Sequence, residues 1–396
     1  MELSIKHSNI SSSLTLAISA KAKKMQEEGI KVISFSVGEP DFNTPKNIRD
    51  KAIDVIQNNN IGYTAASGMP ALKSAICNKL KVDNNLVYDP KEIIVSNGAK
   101  HSLYNIFQAI CNPEDEVIIS TPYWVSYPEL VKMAGAKPVL IDCDENNDFK
   151  YNIDDLKKNI TNKTKAIILT SPSNPTGSVY TLEELQQIAE LAIQNDIIVV
   201  SDEIYEKLIY DNQKHISIAS LNEKIKELTI VVNGLSKCCA MTGWRIGYTA
   251  SNEKIASIMS NIQSHATSNP NTIAQYSAIE ALQGDQSSIE YMRKEFDKRR
   301  KKMVEIINDI PNISCNMPKG AFYVMVNISE VIGKKLGNYD INSSMDFANY
   351  LLENSHVAVV PGVAFGNDNY IRLSYATSQE NIIEGLNRIK EALSKK

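Results

Sequence analysis

Four β-branched runs in this sequence each end on residues able to do chemistry. Glu92–Ser96 runs into Asn97-Gly98-Ala99-Lys100, and Lys165–Thr170 into SPSNPTG at 171–177. Ile197–Ser201 runs into Asp202-Glu203-Ile204-Tyr205, and Thr229–Asn233 into Gly234-Leu235-Ser236-Lys237. In that order they offer a glycine at a helix start, where free N–H groups attract phosphate, an amide at Asn174, a carboxylate with a phenol, and a primary amine. A lysine amine condenses with an aldehyde, and a carboxylate beside a pyridine nitrogen keeps that nitrogen protonated. An ion pair at ~4 Å gains roughly 4 kcal/mol at an effective dielectric of 20. That is worth up to about three pKa units on the ring before desolvation is subtracted. The set meets the needs of pyridoxal-phosphate chemistry, with Asn174 or Tyr205 able to hydrogen-bond the ring's phenolate oxygen. Singly, each residue has a plainer role: Gly98 can close a turn, Asp202 can cap a helix, and Lys237 can be a solvated loop charge. SPSNPTG is the rarer segment, and its coincidence with the others sets the group apart.

The elements that must position these residues alternate. Strand-like runs at Glu92–Ser96, Glu116–Ser120, Lys165–Thr170, Ile197–Ser201, Thr229–Asn233 and Arg245–Ala250 are nearly unbroken in apolar residues, as strands covered on both faces are. Helical patterns at Ala99–Ile110, Trp124–Ala134 and Leu182–Gln194 separate most of them, and Thr181 with Glu184 reads as a capping box. This predicts an α/β domain with a mostly parallel sheet flanked by helices, whose ligands bind beyond the carboxyl ends of the strands. After about residue 285 the texture changes. A charged helix at Ser287–Asn308 precedes a strand at Phe322–Val326, a helix at Ser344–Glu353, a strand pair (Val357–Val360 and Tyr370–Tyr375) and a last helix at Gln379–Ser394. The expected division is a large cofactor-binding domain over 46–285 and a smaller α+β domain. The smaller one is built from 286–396 and an N-terminal arm and helix within 1–45, the helix spanning Thr15–Glu28.

The 396 residues carry a net charge of −4, with 43% apolar and 22% charged residues. That is the mix of a globular protein, without the basic excess of a nucleic-acid binder. The longest apolar runs are too short to span a bilayer, and the polar N-terminus lacks a signal-peptide core, so a cytoplasmic location away from membranes is expected. Six cysteines at 77, 111, 143, 238, 239 and 315 follow neither zinc-site nor disulfide spacing, so reduced thiols and no metal are expected.

The segments SPSNPTG, SDEIYE (201–206), NGLSK (233–237) and MTGWRIGY (241–248) resemble class I aminotransferases of pyridoxal-phosphate fold type I. The resemblance runs from SVGEPDFNTP (36–45) to YIRLSYA (370–376), through GYTAASGMPALK (62–73), PYWVSYPE (122–129) and GAFYV (320–324). It is nearest to the prokaryotic aspartate aminotransferase subgroup. It implies that Lys237 is the imine lysine and proton shuttle, that Asp202 pairs with the pyridine nitrogen, and that Asn174 and Tyr205 bind the ring oxygen. Trp124 would stack on the ring. The turn at Gly98, the backbone of Ala99 and Lys100, Ser236 and Arg245 would hold the phosphate. Tyr63 would reach the phosphate of the neighbouring subunit, in a homodimer with shared sites to which Ser268–Pro270 also crosses. Arg372 would clamp the substrate α-carboxylate bidentately near the Gly38 amide.

The distal carboxylate of a dicarboxylic substrate needs a second cation. The segment where family members carry a partner arginine, SHATSNPNTIAQ (264–275), offers only His265. The subgroup uses a lysine directly after the Gly-x of the phosphate turn, which here is Lys100, with Thr15 alongside. Prephenate-accepting members carry a lysine in the N-terminal segment, where this chain reads Ile10-Ser11-Ser12-Ser13. The resemblance therefore implies transamination between aspartate or glutamate and 2-oxo acids. The alternatives are an aromatic or neutral amino-acid aminotransferase, or a carbon–sulfur lyase of the same fold.

Overall fold

A computed structural model describes residues 8, 10–12 and 14–394. Its centre is a seven-stranded sheet in the order Ile93–Asn97, Ile246–Ala250, Thr229–Gly234, Ile198–Asp202, Thr164–Thr170, Glu116–Thr121, Lys137–Asp142. Only Ile246–Ala250 runs antiparallel to its neighbours; the other pairings are parallel. This is the α/β fold expected from the alternating runs. The inner strands are the most apolar because helices cover both faces; every residue of Thr229–Gly234 is buried. Lys137–Asp142 was not anticipated. Apart from the buried Ile141 its residues are exposed or half-buried, and it carries Pro138, which a sheet tolerates at an edge.

Direction explains why one edge of the sheet gathers the chemistry. The parallel strands all deliver their carboxyl ends there, so Gly98, Asn174, Asp202 and Lys237 follow. The antiparallel strand enters from that edge, with Asn97 opposite Ile246 and Gly234 opposite Gly247. The residue before it, Arg245, is thus brought to the same place. Gly247 permits the approach, since a Cβ there would lie 2.2 Å from the Ala99 nitrogen.

A three-stranded antiparallel sheet orders Val360–Pro361, Tyr370–Ser374 and Tyr323–Asn327, placing Arg372 in the middle strand opposite Met325. The expected strand Val357–Val360 is divided. Val357–Ala358 pairs in parallel with Ile33–Ser34, and Val360–Pro361 pairs with Tyr370–Ser374. The chain changes partners around Val359, so one apolar run serves two sheets. Phe296, Phe322, Phe347, Ile371 and Leu386 form a core that also takes in Ile33 and Phe35. The helix expected at Trp124–Ala134 begins at Ser126, which leaves Trp124 outside the first turn and on the cavity wall.

Candidate active site

A cavity of about 870 Å³ lies between the sheet edge and the three-stranded sheet. Thr15, Gly38, Ala99, Lys100, Trp124, Asn174, Asp202, Tyr205, Ser236, Lys237, Arg245 and Arg372 all line it. Gly98, with φ +85°, caps the helix Ala99–Ile110. The positive φ favours glycine, and a Cβ there would sit 2.3 Å from Arg245 Nη2 and displace the guanidinium. Ala99 and Lys100 stand in the first helical turn, whose N–H groups have no intrahelical acceptor. Arg245 donates from Nη1 to the Thr242 carbonyl at 2.9 Å and from Nη2 to the Asn97 carbonyl at 3.3 Å. These residues form a cationic concavity of the kind that holds phosphate.

Asp202 is buried. One carboxylate oxygen accepts from Tyr127 Oη at 2.7 Å and the other from the Ile204 amide at 3.2 Å. Burial dominates over these bonds and pushes its pKa up to about 6. Lys237 Nζ donates to the Gly38 carbonyl at 2.5 Å and lies 5.8 Å from the Tyr205 ring centroid. Burial, and after it the Arg372 cation, lower its pKa to about 8. At pH 7 about one such amine in ten is neutral, against roughly one in three thousand at the ordinary lysine value. A neutral amine of this kind can act as a nucleophile or a base.

Arg372 is buried and donates to Asn174 Oδ1 at 2.9 Å and to the Ser36 carbonyl at 3.1 Å. Its guanidinium lies 4.3 Å from the Tyr323 ring and 4.9 Å from Phe365. Nε is buried without a hydrogen-bond partner. A buried cation held by carbonyls and aromatic faces is suited to an incoming carboxylate. Lys100 Nζ lies 4.9 Å from the Trp124 ring centroid at the rim; desolvation and then the Arg245 cation lower its pKa.

Two cavity residues escaped the reading of the sequence. Tyr127 bridges Asp202 and Thr170, with its hydroxyl 2.8 Å from Thr170 Oγ1. Its only local signal was the PYWVSYPE segment. Tyr323 shares a 3.0 Å hydrogen bond with the Tyr205 hydroxyl, so Tyr205 reaches the cavity already paired. Tyr63 does not line the cavity; it is 94% exposed. Gly62 and Thr64 beside it accept hydrogen bonds from Thr272 and Gln275, the latter also bonding the Pro270 carbonyl. The 62–64 and 270–275 segments thus share one surface. Ser13 lies outside the described residues.

An amine, a buried carboxylate, a cationic concavity and a buried guanidinium thus meet on one edge of the sheet. The chain belongs to the aminotransferase class I and II family, whose model matches residues 30–389. It is 52% identical over 377 residues, 95% of each chain, to an aspartate aminotransferase of Bacillus sp. (strain YM-2). The crystal structure of an aspartate aminotransferase from Rhizobium meliloti superposes with a TM-score of 0.96 at 40% identity, covering 100% of this chain and 99% of that one. An aspartate aminotransferase from Thermus thermophilus, solved with maleate, gives 0.93 at 37% identity, covering 99% and 100%.

Proposed function

We propose that this chain uses pyridoxal 5'-phosphate to exchange the amino group of aspartate with 2-oxoglutarate in two half-reactions. The observation that carries the proposal is the convergence of Lys237, Asp202 and Arg372 on one cavity. The residues fit the cofactor: the cradle of Gly98, Ala99, Lys100, Ser236 and Arg245 suits its phosphate, and Asp202 its ring nitrogen. Asn174 and Tyr205 suit its ring oxygen, and Trp124 its ring face.

When bound, the cofactor supplies an aldehyde for the substrate amine and a ring that takes up the electron pair left at Cα. Lys237, neutral in part at pH 7, holds the aldehyde and later carries the proton to and from Cα. Asp202 holds the proton on the ring nitrogen, and Tyr127 orients its carboxylate. Arg372 fixes the α-carboxylate, drawing on donors that Asn174 and Ser36 now occupy only in part. Lys100, with Thr15, meets the distal carboxylate; the maleate in the Thermus relative is likewise a dicarboxylate.

The working unit is a homodimer, in which the shared surface of 62–64 and 270–275 carries Tyr63 to the opposite site. Residues 46–285 form the cofactor domain, and 1–45 with 286–396 form the smaller domain. All six cysteines are free, which suits a reducing cytoplasm. Among the described residues, no helix is long and apolar enough to cross a membrane.

The test is a half-reaction screen. The holoenzyme is mixed with each of the twenty amino acids and loss of the bound cofactor's absorbance is followed. Aspartate and glutamate should react fastest. A set led by aromatic or neutral amino acids overturns the substrate. Release of a 2-oxo acid and sulfide from cysteine, with no new amino acid from 2-oxoglutarate, overturns the reaction type.

A further inference from the structure

We propose that Cys238 and Cys239, the two residues after Lys237, form a peroxide-reactive dithiol that closes to a vicinal disulfide and disables the lysine turn. The two Sγ atoms lie 3.5 Å apart. Cys238 is partly buried and borders a cleft of about 30 Å³ with Lys79, Lys207 and Gln286. That cleft is separate from the large cavity, which takes Ser236 and Lys237 from the same turn. A molecule the size of hydrogen peroxide can therefore approach Cys238 without passing the substrate.

The other thiols differ in kind. Burial pushes Cys77 up to about 11, and Cys111, Cys143 and Cys315 up to about 12. A hydrogen bond with Cys239 holds Cys238 below the ordinary value, while Cys239 is pushed well above it. Cys238 is also the more accessible of the two, with Cys239 buried, so it is the attacking sulfur and Cys239 the resolving one.

The reaction balances with a peroxide as oxidant. The Cys238 thiolate attacks one peroxide oxygen and the O–O bond breaks. The sulfur is oxidised to a sulfenic acid, and hydroxide leaves and takes up the thiol proton as water. Cys239 then attacks that sulfur, the S–O bond breaks and a second water leaves. Adjacent Cα atoms are ~3.8 Å apart, below the usual ~4.4–6.8 Å span of a disulfide. The bridge is therefore strained and easily reduced, as reversible disulfides are. Its strain falls on a turn already tight, where the Cys239 amide bonds the Leu235 carbonyl at 3.3 Å and Ala240 has φ +49°.

The effect on turnover rests on the role proposed for Lys237; the modification does not. The holoenzyme is treated with a few equivalents of hydrogen peroxide, alkylated, digested and weighed by mass spectrometry, with transamination assayed in parallel. The peptide holding 238 and 239 should lose two hydrogens before any other cysteine reacts. Turnover should fall on the order of 10²-fold, the cost of a ~1 Å displacement of a reacting group, and dithiothreitol should restore both. Cys238→Ser should resist the same dose. Cys239→Ser should be driven to the sulfinic acid at Cys238, which dithiothreitol does not reverse. Prior oxidation of another cysteine, or an intermolecular bridge, overturns the site. A vicinal disulfide with unchanged turnover overturns its coupling to the lysine turn. An untreated enzyme without transaminase activity counts against the proposed function, and the mass shift still decides the dithiol.

Discussion

Asp202 and Glu203 are consecutive, yet they belong to two clusters of opposite character. Asp202 faces the cavity with, among the described residues, Tyr127 and the Ile204 amide as hydrogen-bond partners, and burial raises it to about 6. Glu203 turns the other way and accepts from Ser201, Ser217 and His215. Three residues on, Glu206 meets Lys79 and Asn84. Burial pushes Glu206 up, but Lys79 and His215 outweigh it and hold the carboxyl at about 2. The same burial thus gives opposite results according to whether the chain supplies the counter-charge. The Glu203–Glu206 side is a closed structural account. The Asp202 side sets a carboxylate, an amine and a guanidinium around one cavity, bonded to neutral groups and, among the described residues, without an ion pair.

The largest test of this contrast is Lys237→Ala. Turnover should fall by on the order of 10⁴-fold or more, with both nucleophile and proton carrier removed, while the fold is kept. Steady-state assay and thermal unfolding check both halves; near wild-type turnover would sink the assignment. On the paired side, Lys79→Met should do the reverse. It leaves a buried carboxylate without its cation and should cost about 3–5 kcal/mol of stability, read by chemical denaturation. The stability that the Glu206 pairing contributes is present above pH ~4.5 and lost as pH falls toward about 2. The mutant's deficit should therefore shrink in acid.

Asp202→Asn sharpens the comparison by sign. A carboxyl raised from ~3.9 to about 6 costs the cofactor-free protein about 3 kcal/mol once both states are ionised. That cost appears as pH rises from ~4 to about 6. The variant should be more stable than the parent apoprotein at pH 7 and equal to it near pH 3, while losing activity. A uniform loss of stability across this range would break the argument. The smallest effect belongs to Lys100→Met, at the rim. It should lower kcat/KM for aspartate by ~10–10²-fold, one charge-assisted contact of roughly 1.5–3 kcal/mol, and leave alanine little changed. Equal losses for both would assign Lys100 to the phosphate.

These contrasts were legible in the sequence only in part. Strand ends announce themselves because buried strands are continuous apolar runs, and Gly98, Asn174, Asp202 and Lys237 follow such runs directly. Tyr127 was illegible: its partner Asp202 lies 75 residues away, and nothing local marks a tyrosine that bonds a distant carboxylate. Tyr323 was hidden in the same way, 118 residues from Tyr205. The edge strand Lys137–Asp142 lacks the unbroken apolar run that betrays its neighbours. Even Val357–Val360, read correctly as extended, concealed its change of partner, because pairing is decided by the sheets that receive it.

The antiparallel strand of the seven-stranded sheet has a consequence for the order in which a ribosome can finish this protein. Arg245 meets the Asn97 carbonyl across 148 residues, so the cationic concavity beside Gly98 has all its parts once about two-thirds of the chain has emerged. Arg372 meets the Ser36 carbonyl across 336 residues, and Ile33–Ser34 waits for Val357–Ala358 to pair. The pocket proposed for the cofactor is thus complete in material long before the clamp proposed for the substrate, and a chain cut short near its end is left with the first and without the second.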